Sequence, residues 1–146
     1  MSHAARPAPA GNAAPPPTQL GSTRIERLRP HLDARGAVFE PLDAGELSAQ
    51  RNVHVVLTEP GAVRGNHWHR QATEVTSIVG PCQVRLKEAG TVYDLEVPAG
   101  EVWRLSIAPG VVHAFRNVGS GPMALVSFSS EPHDPSGAGL ERETIL

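Results

Sequence analysis

Seven histidines are spread along this 146-residue chain, and two of them, His67 and His69, stand two residues apart. On an extended strand alternate side chains share a face, so both imidazoles can reach one ion. Glu74 follows after four residues, enough for a turn before a strand whose same-face side chains would be Glu74, Thr76 and Ile78. His113 comes much later, behind Pro109-Gly110, on a stretch that also turns Val111 and Phe115 inward. Three neutral imidazoles and a carboxylate suit one divalent metal ion, Zn²⁺, Fe²⁺, Mn²⁺ or Ni²⁺, with at least one position open to water or substrate. Such a cluster is costly to bury unless something coordinates it. His3, His31, His54 and His133 have no partner at ligand spacing and read as ordinary surface or hydrogen-bonded residues.

Positioning those side chains requires short strands, and the sequence has the pattern for them. Apolar, β-branched runs at 51–57, 65–69, 74–79, 83–87, 92–97, 102–107, 111–117 and 123–129 are separated by Gly- and Pro-containing turns. No sustained helical period appears, apart from a weak one near Leu42 to Leu47. Eight strands at near-regular spacing predict an all-β jelly roll. Residues 1–22 are rich in Ala, Pro and Gly, too poor in large apolar side chains to offset the entropy of ordering, and read as an extended N-terminal arm. Residues 23–146 then form a single domain, which is all that this length accommodates.

Composition narrows the function. With a net charge of -2 and no basic run interleaved with aromatics, a nucleic-acid partner is not expected. One cysteine, Cys82, allows no internal disulfide, and neither a signal-peptide core nor a membrane-length apolar run is present, so the expectation is cytoplasmic. Twelve of the 13 basic residues are Arg, the side chain whose fork matches phosphate and carboxylate. Arg85 beside Val84 and Arg104 beside Trp103 alternate with apolar residues and read as a solvated barrel exterior.

The motif residues resemble the cupin superfamily. Gly61, His67, His69, Glu74 and Gly80 match its first motif, and Pro109, Gly110, His113 and Asn117 its second, except that Pro109 adjoins Gly110 instead of standing one residue earlier. The resemblance implies a double-stranded β-helix, or jelly-roll barrel, with the metal held by His67, His69, Glu74 and His113. Asp33-Ala34-Arg35-Gly36, with Phe39-Glu40 and Arg64-Gly65-Asn66-His67, looks more narrowly like the deoxysugar 3,5-epimerases and 3,4-ketoisomerases. Gly65-Asn66-His67-Trp68-His69 is closer still to the zinc-carrying epimerase cupin at the C-terminus of bifunctional capsular-polysaccharide enzymes, here without their reductase domain. In those families the Arg-Gly segments bind nucleotide diphosphate, which makes Arg35 and Arg64 the expected substrate-binding residues.

By the same resemblance His67 would be the proton-abstracting base of a 3,5-epimerase, a role that competes with holding a metal. The Tyr such epimerases use as acid is missing from strand 123–129, and the sole tyrosine is Tyr93. The expected activity is therefore metal-assisted isomerisation or epimerisation of a small oxygenated substrate, a nucleotide-linked keto sugar. An Fe- or Mn-dependent dioxygenase and a non-catalytic metal- or ligand-binding cupin use the same donor set. No general base outside that set stands out. Trp68, alternating with the two histidines, should point away from the ion and, with strand 51–57, contribute to a homodimer.

Overall fold

Period-two alternation of apolar residues dictates most of the architecture in the computed structural model, which describes residues 15–146. In chain order the elements are β1 (Thr18–Leu20), β2 (Thr23–Arg27), β3 (His31–Asp33), β4 (Gly36–Val38), α1 (Ala44–Leu47), β5 (Asn52–Thr58) and β6 (Val63–His69). There follow β7 (Glu74–Val79), β8 (Cys82–Glu88), β9 (Thr91–Val97), β10 (Val102–Ile107), β11 (Val112–Asn117), β12 (Met123–Ser129) and β13 (Leu140–Arg142). All eight strands expected from sequence are present, with ends displaced by two residues at most. The weak helical period survives only as the single turn α1.

A six-stranded sheet in the order β1-β2-β10-β7-β12-β5 faces a five-stranded sheet in the order β13-β6-β11-β8-β9, and every pairing is antiparallel. This is the cupin jelly roll. On β8 the alternation is plain: Cys82, Val84 and Leu86 are buried while Gln83, Arg85 and Lys87 lie nearer the surface. These three meet Ile78, Leu105, Ile107, Phe115 and Leu125 in one apolar core between the sheets. β7 is buried on both faces because Leu42, from the segment before α1, packs on its outer side with Val75 and Phe128.

Two findings differ from the sequence reading. Thr18–Leu20 lies inside the compositionally poor arm yet pairs with β2 as an edge strand; residues 1–14 of the arm lie outside the described residues. Arg104, which alternation placed on a solvated exterior, is buried, donating to Glu26 at 2.9 Å and to both Asp43 carboxylate oxygens at 3.2 and 2.9 Å. No described helix is long and apolar enough to cross a membrane.

Candidate metal centre and its cavity

Three strands of two sheets bring the cluster together. β6 carries His67 and His69, β11 carries His113 directly opposite His67, and β7 carries Glu74 across the barrel. The β6–β11 pairing slips by one residue beside His113, and the extra residue is Asn66, in left-handed backbone with φ 57° next to Gly65 at φ 92°. A side chain on Gly65 would put its Cβ 2.5 Å from the His113 carbonyl oxygen, so only glycine lets the strands approach this closely. The strained Asn66 is held by the C-terminus: its Oδ1 accepts from the Ile145 and Leu146 amides at 2.9 and 3.1 Å, and its Nδ2 donates to the Leu146 carbonyl. The bulge thus sets the direction of His67 and docks the last strand beside it.

One ligand atom from each of His67, His69, Glu74 and His113 can be chosen so that all lie within 4.8 Å of one another. Glu74 is buried; its Oε1 accepts from Thr76 Oγ1 at 2.9 Å and its Oε2 lies 2.8 Å from His69 Nε2. His113 is fully buried, with Nδ1 3.0 Å from the Val111 carbonyl oxygen. Nδ1 is thereby the protonated nitrogen and Nε2 bears the lone pair. That Nε2 has no hydrogen-bond partner, standing 3.6 Å from Glu74 Oε2. A buried lone pair left unpaired, among two further imidazoles and a carboxylate, fits a divalent cation better than any protein partner present.

Electrostatics agree with that donor set. Burial, aided by the neighbouring His113, pushes the His67 pKa down to about 4 against the pull of Glu74, so this ring is neutral at neutral pH. Burial would raise the Glu74 carboxyl, but the His113 and His69 imidazoles outweigh it and hold it well below the usual carboxylate range. Burial likewise lowers His113, and there the Glu74 carboxylate outweighs it, giving a net upward direction.

The cluster opens on a cavity of about 1010 Å³, walled by the start of β5, the end of β6, the loop 131–139 and β13. This is the upper end of the size range for small-molecule sites. Residues 31–139 match the family described as the polysaccharide biosynthesis C-terminal domain. The chain belongs to that family. No curated protein matches it. Among solved structures, the capsular polysaccharide assembling protein CapF from Staphylococcus aureus aligns at 22% identity and TM-score 0.60 over 82% of this chain and 35% of CapF. The family member described here thus spans about a third of CapF. The 3,4-ketoisomerase QdtA from Thermoanaerobacterium thermosaccharolyticum, in a mutant form with TDP-4-keto-6-deoxyglucose, aligns at 19% identity and TM-score 0.66, covering 86% of this chain and 90% of QdtA. A dTDP sugar isomerase from Desulfovibrio desulfuricans aligns at 20% and 0.69, covering 85% of each chain.

Not every residue singled out in this polysaccharide-biosynthesis domain lies at the cavity. Arg35 sits on the β3–β4 hairpin with its guanidinium on Asp33 and its side chain 90% exposed. Arg64 is brought by the bulge into register with inward-facing Phe115, yet its side chain is exposed and, like Arg35, lines no part of the cavity. Trp68 is half-buried, in register with Glu141 of β13. The guanidinium that does line the cavity beside His67 is Arg142, in register with it on β13 and outside the region matched by the family. His54 and His133, exposed as surface histidines are expected to be, also line it. Strand pairing places His54 there and the loop 131–139 places His133, and spacing along the chain carries no trace of either.

Proposed function

We propose that this domain is an isomerase or epimerase of a nucleotide-linked keto sugar that works with one divalent metal ion held by His67, His69, Glu74 and His113. The observation that carries the reading is the donor cluster, with His67, His69 and Glu74 in the wall of a cavity large enough for a nucleotide sugar and the unpaired His113 Nε2 buried among them. Support for the substrate class comes from relatives of this fold that are described as TDP-sugar isomerases, one of them in complex with a keto sugar nucleotide. A bound divalent ion supplies Lewis acidity toward a ketone oxygen.

The chain's own residues do the rest. Glu74, ionised and fixed by Thr76, keeps negative charge beside His69 and His113. Arg142 gives the cavity a guanidinium for a phosphate or hydroxyl of the substrate. Arg35 and Arg64, if they contact the diphosphate, do so across a subunit boundary, because neither lines the cavity of its own chain. That boundary is a homodimer contact on β5, an edge strand whose outward Val53, Val55 and Leu57 are 55, 62 and 66% exposed. Light scattering of wild type and Val55→Lys tests it: a monomeric wild type excludes the dimer.

Metal-loaded protein mixed with TDP-4-keto-6-deoxyglucose in D₂O tests the activity. The expected result is deuterium incorporation beside the ketone, followed by NMR, together with a changed sugar. No incorporation, with oxygen uptake by the iron-loaded protein instead, would replace the isomerase by a dioxygenase; neither would leave a binding protein.

A further inference from the structure

Moving a carbonyl along a sugar requires a proton to leave the carbon beside it, and imidazoles whose lone pairs are committed to an ion cannot accept that proton. The base must therefore come from elsewhere on the cavity wall. Several titratable groups there are otherwise engaged or unsuited. Arg70 is paired with Glu141, and Asp134 is bonded to Ser136. Arg142 is a permanent cation. Glu131 and His133 stand exposed on the loop that follows β12.

His54 is exposed as well, but differs from all of these in being fixed by a sheet. It lies on β5 in register with Ser127 of β12, which is in register with Thr76 of β7. Residues in register project to the same side of a sheet, and Ser127 and Thr76 are both inward, joined by a 2.8 Å hydrogen bond that continues from Thr76 to Glu74. His54 thus occupies the same inner row as the carboxylate's support, two strands from Thr76, about 10 Å at the usual interstrand spacing. The His54 imidazole has no hydrogen-bond partner among the described residues and lines the cavity with His67 and His69.

We propose, resting on the isomerase reading above, that His54 is the catalytic residue that carries the proton. Its neutral imidazole takes the proton from the carbon next to the ketone, and the electron pair of the broken C–H bond becomes the double bond of an enediol. The imidazolium formed exchanges that proton with solvent and gives a proton to the former carbonyl carbon, while the hydroxyl proton of the neighbouring oxygen passes to the former ketone oxygen. Nothing is oxidised or reduced overall.

The test is His54→Gln, which keeps a polar side chain of similar reach and removes the basic nitrogen. Deuterium incorporation into TDP-4-keto-6-deoxyglucose should fall by about 10² to 10⁴-fold, the usual share of a general base. Metal content by elemental analysis and binding of the nucleotide by calorimetry should match wild type. Incorporation within threefold of wild type would overturn the role of His54 and leave the isomerase standing. Absence of incorporation in the wild type itself would overturn both.

Discussion

The two ends of this barrel are built from the same strands and have opposite chemistry. On β5 the inner face runs from Val56 to His54, on β7 from Ile78 to Glu74, on β11 from Phe115 to His113 and on β12 from Leu125 to Ser127. One end is a closed apolar plug in which Ile78, Val84, Phe115 and Leu125 are at most 3% exposed. Asn117 seals it, donating to the Thr58 and Gly121 carbonyls and accepting from the Gly119 amide. At the other end the imidazoles gather around Glu74, and His113 keeps a nitrogen unpaired. Stability is concentrated in the plug, so the open end can tolerate charge and an unpaired group that would be costly elsewhere.

Substitutions should therefore separate the ends. His69→Ala removes a donor and the partner of Glu74, and metal content after dialysis should drop to a small fraction of wild type. Unchanged content would mean that the cluster is not the metal site. Leu125→Ala, in the plug, should cost about 2–5 kcal/mol in urea denaturation while the folded protein keeps its full metal content. Loss of metal in that variant would show that the two ends are mechanically coupled.

Cys82 reports on the plug from within. It is fully buried at the plug end of β8, in register with Asn117, and burial pushes its thiol up to about 12. At pH 8 the thiolate fraction is then on the order of 10³ lower than for a free cysteine, before any steric protection is counted. Labelling by a thiol reagent should be at least about a thousandfold slower in the native protein than in urea, and faster in Leu125→Ala. Native labelling at the denatured rate would mean that this end opens readily.

The plug end was the more legible in the sequence, because alternation over six or seven residues is a strong signal, as on β8 and β12. The donor set was legible too, since His67 and His69 share a strand face and Glu74 opens the next strand. What escaped depends on contacts between distant segments. β1 to β4 and β13 have three to five residues each, too few for a period to show. Arg104 reads as exterior until Glu26 and Asp43 close over it. His54 and Arg142 gain their positions only through register, His54 opposite Ser127 and Arg142 opposite His67. Nothing in the chain said that the C-terminus would clamp the bulge at Asn66.

Acid gives the finest separation of the two ends. His67 has a pKa of about 4 when folded and near 6.5 when unfolded, so between these values the unfolded chain binds more protons and stability falls as pH drops. The other shifted members of the cluster are silent in most of that window. Glu74, lowered, contributes stability that is fully present above its unfolded value of 4.5 and is lost only below it. His113, raised, contributes stability that is complete below 6.5 and is lost as pH rises above it. From pH 6.5 to 4.5, then, the slope of metal-free protein belongs to His67 among them. Screening at the open cavity keeps it under the one-proton limit of about 1.4 kcal/mol per pH unit. Urea denaturation at pH 4.5, 5.5 and 6.5 in the presence of a chelator should show wild type losing stability across the series and His67→Gln losing less. Leu125→Ala, with the cluster intact, should keep the wild-type slope from a lower starting point. Equal slopes in wild type and His67→Gln would mean that this imidazole is as well solvated folded as unfolded, and the open end would then lack the buried neutral ring that the metal reading requires.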